Sequence, residues 1–152
     1  MQLFRTNGES LSASRLGDIQ TASNIEAYRV TRLMDAWLER DFGAASLVRA
    51  GIMDLNLDFD SIDAAGLFIN SSHGIAPDLS QTGANGPSIF PEGALGVETI
   101  WTPRPALSLK LAVFDGVPGD PAHPTAFAAV RLSAKNGAWS SARPTTGRRL
   151  IR

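Results

Sequence analysis

Residues 106–114 constrain this chain more than any other stretch: Leu107, Leu109, Leu111 and Val113 alternate with Ser108 and Lys110. Successive side chains of a strand point to opposite faces, so this run demands one aliphatic face and one wet face. A lysine set between leucines has no place in a strand buried on both sides. Residues 95–102 form a second apolar run, and Pro103-Arg-Pro105 between the two marks a tight turn, so the pair reads as a hairpin. The pattern recurs earlier. After Gly43-Ala-Ala45, residues 46–55 alternate Val48, Ala50 and Ile52 with Leu47, Arg49 and Gly51. These stretches are therefore read as antiparallel strands joined by short turns. Two architectures satisfy that reading: a soluble sheet with one wet face, or a membrane barrel with lipid outside and water inside.

Residues 68–91 follow a different rule. Gly74, Gly83 and Gly86 lie among Pro77, Pro87 and Pro91, too densely for helix or strand. Phe68, Ile69, Ile75, Leu79, Ile89 and Phe90 lie in the same stretch, and a solvated linker has no need of them. The segment is read as part of a long structured loop over residues 56–93, of a length that in compact proteins tends to carry function.

Residues 24–41 support two readings. Ser23-x-x-Glu26 has the form of a capping box, and Val30, Leu33, Met34, Trp37 and Leu38 follow helical spacing. At period two, Met34, Ala36, Leu38 and Phe42 face one way, while Asp35, Trp37 and Glu39 face the other, with Arg40 interrupting the apolar face. Helix and strand both stay open on local pattern.

Composition narrows the function classes. The 152 residues have room for about one domain. The net charge of −1 gives no basic footprint for nucleic acid. The absence of cysteine removes thiolate chemistry, disulfides and zinc–sulfur sites. The start, Met-Gln-Leu-Phe-Arg-Thr, has neither the basic nor the apolar region of a signal peptide.

Two constellations invite a chemical reading. Asp54, Asn56, Asp58 and Asp60 are spaced like the opening of a calcium loop, but Phe59 and Ala65 stand where the glycine and the bidentate acid belong. Ser71, Ser72, His73 and Asp78 supply the residue types of a hydrolase triad without a nucleophile elbow around either serine. The readings preferred here are loop carboxylates that cap turns and a hydrogen-bonding loop histidine. No catalytic residue, metal or cofactor is assigned.

Four stretches carry a family resemblance. They are Gly17-Asp-Ile-Gln with Ser23-Asn-Ile-Glu-Ala27; Ala36-Trp-Leu-Glu39 leading into Ala50-Gly and Asp54-Leu-Asn56; Asn70-Ser-Ser with Gly86-Pro-Ser-Ile-Phe-Pro91; and Val113-Phe-Asp-Gly-Val-Pro-Gly-Asp-Pro121. In this order they resemble the carbohydrate-selective porins (the OprB type) of bacterial outer membranes, over residues 2–138. The resemblance favours a strand over residues 32–42. It implies an all-β chain, a partial antiparallel transmembrane β-barrel with a long structured loop, and passive passage of mono- and small oligosaccharides. Outer-membrane lipid would be the other partner, and intact porins commonly assemble as homo-oligomers.

Strand parity then selects Asp35, Trp37, Glu39, Arg49, Glu98 and Lys110 as pore-lining or sugar-contacting candidates. Asn70, Ser71, Ser72, His73, Asp78, Gln81 and Asn85 are the candidates on a loop that folds inward to constrict the pore. Trp37 and Trp101, near strand ends, also suit an interfacial aromatic girdle.

Residues 139–152 depart from the pattern, with four arginines, no acid and no alternation. A one-base shift of reading frame near Ala138 restores an alternating strand, so a frameshift is an expectation here, and the porin segment is bounded at 1–138. With no export signal at its start, the chain is read as a fragment of a longer barrel that is non-functional in isolation. The alternative from another class is a soluble β-rich glycan-binding module.

Overall fold

The alternating runs become a single antiparallel meander. The computed structural model describes residues 1–17, 22–23, 25–70, 73–80, 82–128, 130 and 135–146. Six strands pair in sequence order: β1 (Gln2–Thr6), β2 (Val30–Phe42), β3 (Ser46–Met53), β4 (Ala94–Arg104), β5 (Leu107–Asp115) and β6 (Ala138–Thr146). Among the described residues β1 and β6 pair on one side only, so the sheet is an open arc of a barrel. The β2–β3 and β4–β5 hairpins have short turns, whereas β3 and β4 are separated by the long loop.

The helical reading of 24–41 gives way to β2, which begins at Val30, two residues before the expected start. Tertiary pairing decides it, since β1 lies against residues 30–35 and β3 against residues 36–42. The capping box does not form as drawn. The Glu26 carboxylate instead accepts from the hydroxyls of Ser10 and Ser12, tying the segment before β2 to that after β1.

Register fixes the two faces. On one, Leu38, Ala50, Val97 and Val113 lie directly opposite one another on four neighbouring strands. Leu38 is 84% exposed, and Val97, Leu111 and Val113 are each about half exposed. Arg40, the interruption in this face, places its guanidinium 5.5 Å over the Phe42 ring beside the hairpin turn. A cation there covers apolar surface with its stem and keeps its head toward water.

On the other face, Trp37, Gly51, Gly96 and Phe114 form a row. The two central glycines let rings lie down on the sheet. A Cβ on Gly96 would meet the Phe114 ring at 2.5 Å, and one on Gly51 would lie 2.5 Å from Trp37 Cα and closer still to the Ala36 carbonyl. Over this row sits the core: Met53, Leu55, Phe59, Ile75, Ala94, Ala112 and Phe114, with Trp37, Leu79 and Ile89 packed against it. Phe59, Ile75, Leu79 and Ile89 all come from the long loop, so the loop is folded onto this face of the sheet. Its hydrophobes are there to dock it.

The tail supplies a strand where no alternation is legible. β6 pairs residue for residue with β5, from Asp115 opposite Ala138 to Leu107 opposite Thr146. Pro144 within it removes one N–H donor, which an edge strand tolerates.

Candidate functional site

One step along the sheet from the aromatic row, Glu39, Arg49 and Glu98 lie directly opposite each other on β2, β3 and β4. The order of charge is minus, plus, minus, the favourable arrangement for cross-strand neighbours. Arg49 uses all of it. Its Nη2 and Nε donate to Glu39 Oε2 at 2.9 and 3.2 Å, and its Nη1 donates to Glu98 Oε2 at 3.1 Å. The same Nη1 reaches Asp58 Oδ2, in the long loop, at 2.6 Å. The guanidinium lies 4.4 Å from the centroid of the Trp37 ring, so the cation is also held against an aromatic face. Lys110 on β5 completes the set, donating to Asp58 Oδ1 at 2.6 Å and to the Asp58 carbonyl at 3.2 Å.

Five of the six residues chosen by strand parity are thus brought together: Trp37, Glu39, Arg49, Glu98 and Lys110. The sixth, Asp35, is buried at 6% exposure, and its Oδ1 accepts the backbone N–H of Asp54 at 3.0 Å. It anchors the root of the loop. Trp37 lies on the charged face under Arg49, not in an outer girdle, whereas Trp101 lies opposite Leu109, on the face of Leu111 and Val113.

Sequence reasoning missed Asp58 as a member of this cluster. It is the only loop residue that pairs with both Arg49 and Lys110 among the described residues. The acids spaced like a calcium loop each have separate duties. Asp54 Oδ1 accepts Asn56 N–H at 2.8 Å and caps a short helical turn, and Asp60 Oδ2 accepts Ala76 N–H at 2.6 Å. Burial would push the Asp58 carboxyl up, but Lys110 and then Arg49 overcome it and hold it below the usual value. Asp54 has no cation partner of that kind. Burial, with the Asp35 charge adding to it, pushes its carboxyl up to about 6 against the Asn56 N–H bond.

The loop candidates are dispersed. Ser71, Ser72 and Gln81 lie outside the described residues. Asp78 is exposed in the short helix α1 (Pro77–Ser80). His73 stacks on Phe68 with ring centroids 4.5 Å apart, and its backbone N–H donates to the Asn70 carbonyl at 3.1 Å. Asn85 Nδ2 donates to Glu92 Oε2 and to the Pro118 carbonyl, each at 2.7 Å. Asn85 therefore belongs to a second cluster that the sequence did not announce. Arg32, 3% exposed, pairs with Glu92 at 2.6 Å and donates to the carbonyls of Pro91, Pro124 and Ala126. Tyr28 donates to Glu92 Oε1 at 2.5 Å, and burial together with that carboxylate pushes its hydroxyl up to about 12. This knot rivets the end of the long loop, and the loop after β5, to β2.

An antiparallel arc with an apolar exterior, a charged opposite face and a long loop ion-paired onto that face defines a wall of a porin-type barrel. The chain belongs to the carbohydrate-selective porins of the OprB family, whose family model matches residues 1–147. No curated protein and no solved structure matches it.

Proposed function

We propose that this sheet is an arc of an outer-membrane barrel that passes mono- and small oligosaccharides by passive diffusion. Trp37, Glu39, Arg49, Glu98 and Lys110 face the water-filled lumen, and the loop carrying Asp58 narrows it. The observation that carries the reading is Arg49, which joins three adjacent strands and the loop at one point. Selectivity in a wet pore depends on its width and on the donors and acceptors lining the narrowest place. A sugar presents hydroxyls that both donate and accept, together with apolar ring faces. A carboxylate–guanidinium lattice beside an indole offers partners for each. Charges already paired within the lattice bind a neutral sugar weakly, and weak binding lets it leave.

The aliphatic face meets lipid. An aqueous lumen takes on the order of 16 strands, and among the described residues six strands leave both edges unpaired. Further strands are therefore needed to close the pore. The isolated chain added to planar bilayers should give no discrete conductance steps, and stable steps would refute the need for more strands. The sugar reading is tested separately. Glucose titrated into the detergent-folded chain should shift the Trp37 indole resonance saturably, and an unmoved Trp37 at high glucose would refute it.

A further inference from the structure

A cavity of about 350 Å³ lies between the long loop, which lines it with Asn56, Ser61, Phe68 and His73, and the segment before β2, which contributes Ser23 and Ile25. None of Trp37, Glu39, Arg49, Glu98 or Lys110 lines it, so it is distinct from the charged row. Its volume falls in the range of small-molecule sites. Two features are not explained by the packing of the loop. The Phe68 and His73 rings are stacked at 27°, yet Phe68 keeps 58% of its surface open. Asn56 Nδ2 donates to the Gly74 carbonyl at 2.7 Å, while its Oδ1 is buried without a hydrogen-bond partner among the described residues. A buried acceptor left unpaired costs free energy, and such a group in a native site calls for a missing donor.

We propose that this cavity is a second carbohydrate site, sized for one pyranose ring, on the loop rather than on the barrel wall. The inference rests on the carbohydrate-selective reading of the chain. The C–H face of a pyranose carries slight positive charge and seats on the negative face of an aromatic ring, here the Phe68–His73 stack. A ring hydroxyl beside Asn56 supplies the donor that its Oδ1 lacks, and Ser61 offers a further polar contact. Asn56 is two residues from Asp58, so one loop carries both this cavity and the carboxylate that pairs with the charged row.

The histidines make the test local, because the chain has only His73 and His123. His123 is exposed and paired with Asp120 at 3.0 Å, outside the cavity, and serves as the internal control. Glucose is titrated into the detergent-folded chain while the ring protons of both histidines and the Trp37 indole are followed by NMR. The expected result is a saturable His73 shift with His123 unmoved, weakened at least tenfold in Phe68→Ala, retained in Phe68→Trp and unchanged in Glu39→Gln. If Trp37 moves and His73 does not, the loop site is refuted and the charged row stands. If Glu39→Gln weakens the His73 shift as much as Phe68→Ala does, there is one site and not two. If nothing moves, both readings fall.

Discussion

Asp54→Asn should stabilise the folded chain at neutral pH and do nothing in acid. Asp54 sits at the root of the long loop, its carboxyl desolvated and close to Asp35, with its pKa moved from 3.8 to about 6. A folded-state pKa above the unfolded one means that the native state holds its proton more tightly. Stability then falls as pH rises from the unfolded value through the folded one, and the full cost is present above about 6. That displacement corresponds to a ceiling of about 3 kcal/mol at 1.36 kcal/mol per unit. The side chain keeps part of its surface in water, so the expected gain is about 1–2 kcal/mol. Asparagine retains the side-chain oxygen that caps Asn56 N–H, so the turn is preserved. The assay is urea unfolding in detergent, followed by tryptophan fluorescence from about pH 4 to about pH 8. The variant should exceed the parent at the upper end and converge with it at the lower. A variant that is less stable at the upper end, or equally stabilising at both, would refute the account of Asp54.

Three other perturbations probe the cluster and the sheet. Arg49→Met should cost about 3–5 kcal/mol because it strands the buried Glu98 carboxylate, and adding Glu98→Gln should recover part of that loss. Strict additivity in urea titrations would deny the coupling. Lys110→Met removes the strongest of the influences holding the Asp58 carboxyl down while leaving its burial intact. The stability that Asp58 contributes above its unfolded pKa should then be lost at a higher pH on acidification, and an unchanged acid-unfolding midpoint would contradict this. Gly51→Ala places a Cβ against Trp37 and the Ala36 carbonyl at a φ of 145°, with backbone on the receiving side. A loss of about 3 kcal/mol or more is expected, and a variant as stable as the parent would show that the β2–β3 contact is looser than described.

The hairpins were legible because period two survives wherever one face meets a single environment. Leu107 to Val113 is the clear case, and parity alone sorted Glu39, Arg49, Glu98 and Lys110 onto one face. β2 was ambiguous for a physical reason. Its first half has Val30, Arg32 and Met34 buried on one parity, while its second half has Trp37 covered on the other. A strand whose covered face changes midway mimics helical spacing. β6 carries no apolar alternation because Ser140, Ala142 and Pro144 stand where β5 has Val113, Leu111 and Leu109, and only the edge offered by β5 reveals it.

Asp58 could not be found from pattern. Its partners lie 9 and 52 residues away, and a loop carboxylate gives no sign of which strand it will meet. Arg32 was hidden by its parity, since an arginine on the face of Met34 and Leu38 reads as an interruption until the loops that supply its carbonyl partners fold over it.

The central claim is that one face of this sheet meets water and the other lipid. The absence of cysteine makes it directly measurable. Single cysteines at Ser108, Leu109, Lys110 and Leu111 would carry nitroxide labels, in the chain folded into lipid vesicles. Collisions with a water-soluble nickel chelate and with membrane-dissolved oxygen then report the surroundings of each label. The account predicts strict alternation, with Ser108 and Lys110 reached by the chelate and Leu109 and Leu111 by oxygen. Equal access of the chelate to all four positions would place both faces in water and make the chain a soluble β-rich module instead of a porin wall.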